Sequence, residues 1–147
     1  MLANGAKLYI ATTGVDTVPA TPASAADIAT ELPGMKEIPD LGADPEKVDN
    51  TCLTDTLMQY ELGIGDPGDM QYRFKLANNE ATDSYRILRA AEAGGKIHPF
   101  KEVLKDGTTS IFYAYPTVKR NGGGVNAALD FTLALALQSA ITVTDPA

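Results

Sequence analysis

The chain has no tryptophan, one cysteine, one histidine and no apolar run of the roughly 18 residues a membrane-spanning helix needs. Each shortage closes a route. A lone Cys52 permits neither an internal disulfide nor a cysteine-rich zinc site. With His98 as the sole histidine, a His-based metal site would draw every other protein ligand from Asp and Glu. The opening MLANGAKLYI lacks the basic start and apolar stretch of a secretory leader, so neither membrane spanning nor Sec export is expected, and synthesis in the cytoplasm is. Positive charge is scarce as well. Twelve Lys and Arg against 19 Asp and Glu leave a net charge of −7, which offers no footprint for gripping nucleic acid, because phosphate contacts need clustered cations.

What is present suits one domain. A chain of 147 residues buries roughly 70% of the surface its unfolded form exposes, and 44% hydrophobic with 21% charged residues is ordinary for a globular protein. The charge is unevenly spread. Residues 1–69 hold 12 acids and 3 bases, residues 70–120 hold 5 acids and 9 bases, and the remainder holds 2 acids and no base. An acidic region and a basic region on one chain suit either a solvated surface or a contact between copies with complementary potentials.

Along the chain, residues 6–12 (AKLYIAT) alternate as a short strand. Residues 13–34, broken by Pro19, Pro22 and Pro33, read as an extended arm with one helical turn near residues 25–30. Two weak strands at 35–41 and 46–53, joined by the turn-like Gly-Ala-Asp-Pro of 42–45, are expected to pair as a hairpin. In residues 70–76, Met70, Tyr72, Phe74 and Leu76 alternate with polar partners. The period then changes to that of a helix over 80–93, with Asn79 as its expected cap and Gly94-Gly95 as its stop. Strands at 97–105 and 109–118 flank the Asp106-Gly107 turn, and Pro116 implies an edge or a bulge. The last run, 125–143, sets Leu129, Phe131, Leu133, Leu135 and Leu137 on one face and Asp130, Thr132, Ala134, Ala136 and Gln138 on the other. The small residues of that second face imply cover by the helix or by a neighbouring subunit. The expected fold is mainly β: two packed antiparallel sheets or a partly closed β-barrel with one flanking α-helix.

Between two strands lies the most unusual stretch, residues 54–68 (TDTLMQYELGIGDPG), acidic and without a cation. Loops of this length are uncommon in compact domains, and Leu57, Met58, Tyr60, Leu62 and Ile64 are too apolar for a solvated linker. Its Gly63-x-Gly65-x-x-Gly68 spacing imitates a dinucleotide fingerprint, but a strand follows where a helix is required and Asp66 would repel phosphate. Cys52 has no histidine near it in sequence, and His98 reads as a partly exposed strand residue. Asp40, Asp44, Glu46 and Asp49 lack the residue order of a calcium loop. No catalytic, cofactor-binding or metal-ligating constellation emerges, so no enzyme and no cofactor are expected.

The order of these elements, with GAKLYIATTG at 5–14, MKEIPDLGADPEKVDNTCLTD at 35–55, MQYRFKL at 70–76 leading into the helix, KDGTTSIFYAYP at 105–116 and VNAALDFTLALALQSAITVT at 125–144, resembles the tail tube proteins (major tail proteins) of long-tailed bacteriophages. The resemblance spans nearly the whole chain. It implies a structural virion protein in which six copies form a ring and rings stack into a tube whose inner wall is a continuous β-barrel. Through that tube DNA leaves the capsid, touching the protein only transiently, and the tape measure and other tail proteins are further partners. It gives Leu57, Met58, Tyr60, Leu62 and Ile64 a ring-stacking role, puts the arm against neighbours and the helix outside. Six copies would sum to −42 per ring, with Asp40, Glu46 and Asp49 the first candidates to face the lumen. The competing reading is a monomeric β-sandwich binding module, for example one that takes carbohydrate, in which the same stretch is the ligand site.

Overall fold

The computed structural model describes residues 4–21, 23–41, 47–49, 60–62 and 69–146. Ten strands follow in chain order: β1 (Lys7–Ile10), β2 (Thr30–Leu32), β3 (Met35–Glu37), β4 (Lys47–Asp49), β5 (Tyr60–Leu62), β6 (Asp69–Lys75), β7 (His98–Val103), β8 (Thr109–Asn121), β9 (Asp130–Leu137) and β10 (Thr142–Thr144). One α-helix, α1 (Ser84–Gly94), lies among the described residues, with a 3-10 turn at Ala25–Asp27. Eight strands make one antiparallel sheet in the order β2-β1-β7-β8-β9-β6-β3, with β10 on β8; β4 and β5 pair separately.

The sheet does not close, yet it curls far enough to enclose a core. The Tyr72 hydroxyl of β6 donates to Glu102 Oε2 of β7 at 2.5 Å, although β8 and β9 lie between those strands in the sheet order. The two halves of one sheet therefore face each other. Its two ends meet at a corner, because only Pro33 and Gly34 separate β2 at one end from β3 at the other. Gly34 has φ +84°, a left-handed turn that a side chain would strain, and its carbonyl accepts the Lys75 amide at 2.8 Å. The mainly β fold with a flanking helix is thus present, built from one folded-over sheet.

Alternation explains the burial. Met70, Tyr72 and Phe74 of β6 and Phe131, Leu133 and Leu135 of β9 point into the core, while Gln71 and Lys75 stay exposed. Phe74 stacks on Phe131 at 5.2 Å, and Tyr85 of α1 approaches Phe131 at 5.3 Å. The helix is fixed at its start by the Ser84 hydroxyl, which donates to the Pro33 carbonyl, and it buries Leu88 and Ala91.

Its first turn corrects the expectation. The cap is Asp83, not Asn79, and the helix begins at Ser84. The Asp83 carboxylate accepts the amides of Asn79 and Glu80 at 2.8 and 2.9 Å, folding residues 79–83 into a turn of their own. Those bonds hold its pKa below the ordinary carboxylate value. The stop is as expected: Gly95 has φ +64° and its amide donates to the Glu92 carbonyl. Nothing lies within 4 Å of a Cβ built at Gly95, so Gly95→Ala isolates the backbone cost. It is expected to lower stability by about 1–2 kcal/mol in urea denaturation.

The expected hairpin between 35–41 and 46–53 is not formed. Met35–Glu37 pairs with β6, and Lys47–Asp49 pairs with Tyr60–Leu62, inside the stretch read as a loop. The terminal run also divides. β9 ends at Leu137, and the chain detours so that the Ser139 hydroxyl accepts the Tyr113 amide at 2.9 Å before β10 resumes on the same edge of β8. Pro116 is accommodated because β7 has ended by Ala114, and two residues on, the Val118 amide turns to Glu92 of α1 at 3.2 Å.

Candidate assembly surfaces

Two antiparallel ladders lie along the same two arms of the chain. β3 pairs with β6 through Met35–Phe74 and Glu37–Arg73, with a one-residue register shift between those pairs. The chain between β3 and β6 then pairs with itself, as β4 with β5, in a separate two-stranded ladder. Tyr60 lies opposite Asp49, and Leu62 opposite Lys47. This brings two of the ring-stacking candidates and one lumen candidate into a single ribbon. Asp40 is exposed after β3. Leu57, Met58, Ile64 and Glu46 lie outside the described residues, as do Cys52 and the Gly63-x-Gly65-x-x-Gly68 stretch.

The arm is fastened to its own subunit. β2 pairs with β1, Val15 bridges Ile97, the Ala23 amide donates to the Tyr113 hydroxyl at 2.8 Å, and Lys101 Nζ donates to the Ala25 carbonyl at 3.0 Å. β2, three residues long between Pro22 and Pro33, carries no local sequence signal.

The outward face of β6, β9 and β8 is graded. At one end Asp130 Oδ2 takes Arg73 at 2.5 Å and Lys36 at 3.8 Å, and Asp130 Oδ1 accepts Asn121 Nδ2 at 2.8 Å. Arg73 also reaches Glu37 at 2.8 Å. The hydrogen bonds from Asn121 and then Arg73 hold the Asp130 carboxyl below its ordinary pKa. Further along lie Ala134, opposite Gln71 and Thr117, and Ala136, opposite Asp69 and Tyr115. Helix α1 does not cover them, since it packs on the Phe131 face. Of the two covers expected for Ala134 and Ala136, the helix is thereby excluded.

His98, Glu102 and Tyr72 are titratable groups that sit inside. His98 is 3% exposed, not partly exposed as expected, because its Nδ1 meets the Ala11 carbonyl at 2.9 Å where β1 ends. Glu102 is equally buried, with Tyr72 as its hydrogen-bond donor. Burial raises the Glu102 pKa above the ordinary 4.5, an effect the Tyr72 hydrogen bond partly opposes. Burial, and then the adjacent Glu102, also push the Tyr72 hydroxyl upward. A carboxyl raised in the folded state contributes fully below its unfolded pKa, and that contribution is lost as pH rises through the folded value. Thermal melts from pH 4 to 7 are therefore expected to show Glu102→Gln gaining on the parent protein as pH rises. Among the described residues no group of His, Cys, Asp and Glu could hold a metal ion.

The described residues thus form an open, curled sheet with one flanking helix and a separate two-stranded ladder. Residues 1–142 match the family described as phage tail tube, lambda-like. The chain belongs to that family. As a tail tube chain it is a structural component of the virion, not an enzyme, and it assembles with copies of itself and other tail proteins into a tube. No curated protein matches it by sequence. Solved structures match by fold. The sheath/tube terminator of an extracellular contractile injection system (PVC, extended state) has a TM-score of 0.62 at 9% identity, over 99% of this chain and 96% of that one. The SPP1 tail tube has 0.57 at 14% identity, over 97% and 78%. A chain of the six-fold symmetrised anti-feeding prophage baseplate has 0.55 at 12% identity, over 95% and 90%. For the tail tube chain these neighbours establish the fold alone.

Proposed function

We propose that six copies of this tail tube chain close into a ring, that rings stack through the segment 54–68, and that the resulting tube is the conduit for DNA ejection. One observation carries the reading: the chain between β3 and β6 pairs with itself as β4 and β5, outside the eight-stranded sheet. A ladder outside the sheet, with Tyr60 and Leu62 in its second strand and Leu57, Met58 and Ile64 near them in sequence, suits burial against another copy. The open sheet supports it too, since its end strands β2 and β3 each have one edge with no strand partner among the described residues. Six-fold symmetry is supported by the symmetrised baseplate among the structural neighbours.

In this reading the whole chain, residues 1–147, is one tube domain, and Ala134 and Ala136 are covered by a neighbouring subunit. Asp40, Glu46 and Asp49 face the lumen, where an acidic wall repels phosphate so that DNA slides. The tape measure occupies that lumen before ejection, and the subunit is made in the host cytoplasm. Sizing combined with negative-stain imaging at high protein concentration tests the proposal. Rings or tubes are expected. Monomers that persist under assembly conditions, above all monomers that bind glycans, would contradict it.

A further inference from the structure

A groove of about 420 Å³ runs between α1 and the ends of β1 and β7. Ile87, Ala90, Ala91 and Gly94 recur at helical spacing along one wall, and Ile10 and Gly14 line the other. Two cations, Arg86 and Lys96, stand on the rim. Arg86 hydrogen-bonds the neutral Asn78 through Nε at 2.9 Å and through the Asn78 carbonyl at 3.2 Å. The nearby carboxylate of Asp83 is engaged by the amides of Asn79 and Glu80. Lys96 pairs with Asp16 at 2.8 Å, in an arrangement exposed on both sides and therefore weak. The groove is thus mostly apolar within, with Thr12 and His98 also in its lining, and cationic at its lip.

We infer that this groove receives residues 54–68 of a second copy of the chain. The argument rests on the ring-stacking reading above and on complementarity. That segment offers Leu57, Met58 and Leu62 for the floor and Asp55, Glu61 and Asp66 for the rim, with no cation to oppose Arg86. The same division runs through the whole chain, the acidic excess preceding residue 70 and the basic excess following it. Symmetry supports the assignment. A segment of one copy inserted into a different surface of the next is a heterologous contact, which leaves a free groove and a free segment at the two ends of any stack and so permits open growth. A self-complementary contact would stop at a dimer. The apolar floor supplies the affinity, and the rim charges set the register.

The test uses the full chain with Cys52→Ser, then Met58→Cys and Ala90→Cys separately and together. Assembled material is treated with a short bismaleimide and run on a denaturing gel. A ladder of covalently joined subunits is expected only when both cysteines are present. Tubes that form normally but give no ladder would overturn the groove assignment while leaving the stacking reading intact. Failure of the unsubstituted chain to form rings or tubes would instead overturn the stacking reading. If the cysteine variants do not assemble, Arg86→Glu decides. A rise of about tenfold in the protein concentration needed for assembly supports the groove, and an unchanged concentration contradicts it. Arg86 is exposed, so a circular dichroism melt close to the parent's is expected.

Discussion

Replacing Leu57, Met58 and Leu62 together by serine is expected to leave the subunit folded and to abolish tube formation. Among the described residues the core is built from β1, β2, β6, β7, β8, β9 and α1. The stacking reading buries the apolar area of Leu57, Met58 and Leu62 between copies instead. Full burial of a Leu or Met side chain contributes about 1.5–3 kcal/mol. Even at the lower bound, three per subunit change each contact by roughly a thousandfold, since about 1.4 kcal/mol is a factor of ten. Sedimentation of assembled material, followed by imaging of the pellet, measures the loss. The circular dichroism spectrum of the variant is expected to match the parent. Normal tubes from the triple variant would refute the stacking role of this segment.

Phe131→Ala is expected to lower stability by about 3–5 kcal/mol, the range for deleting a buried aromatic ring from a packed core. Phe131 is fully buried and stands where three elements meet, stacked on Phe74 of β6 and touched by Tyr85 of α1. Its loss opens the contact between the helix and the sheet at once. For a chain of this size each kcal/mol moves the melting temperature by about 2–4 °C, so a drop on the order of 10 °C is expected. Leu129→Ala is the control, because Leu129 is 42% exposed at the entrance to β9 and should change stability little. Equal effects from the two would show that the Phe131 cluster does not join helix to sheet.

The elements legible in the sequence were those whose signal is local. The alternation of Met70, Tyr72, Phe74 and Leu76, the helical stripe around Leu88, the left-handed stop at Gly95 and the turn at Asp106-Gly107 each depend on neighbours a few residues away. Pairing partners distant in sequence were not legible. Gly42 to Pro45 has the composition of a turn, which suggested a local hairpin, yet Met35 pairs with Phe74, thirty-nine residues on. Nor does alternation reveal where a strand detours. The run through Ala134 and Ala136 continues past Leu137 in pattern, but the Ser139 hydroxyl captures the Tyr113 amide and breaks the ladder.

The geometry around the candidate surface was not legible. An apolar, cation-free stretch at 54–68 pointed to a partner, while its β5 strand, paired in register with β4, needed the structure. Asp130 was placed on the polar face by alternation, but its role in gathering Arg73, Lys36 and Asn121 depends on the sheet register. The buried Tyr72–Glu102 pair joins strands that only the curl of the sheet brings together.

The most direct measurement is electron cryomicroscopy of the purified chain assembled at high concentration, with end-on and side views averaged. The account predicts a hollow tube of stacked six-fold rings, with density for residues 54–68 crossing from each ring to the next. Tubes of another rotational symmetry, rings joined without that density, or a chain that remains monomeric would contradict it.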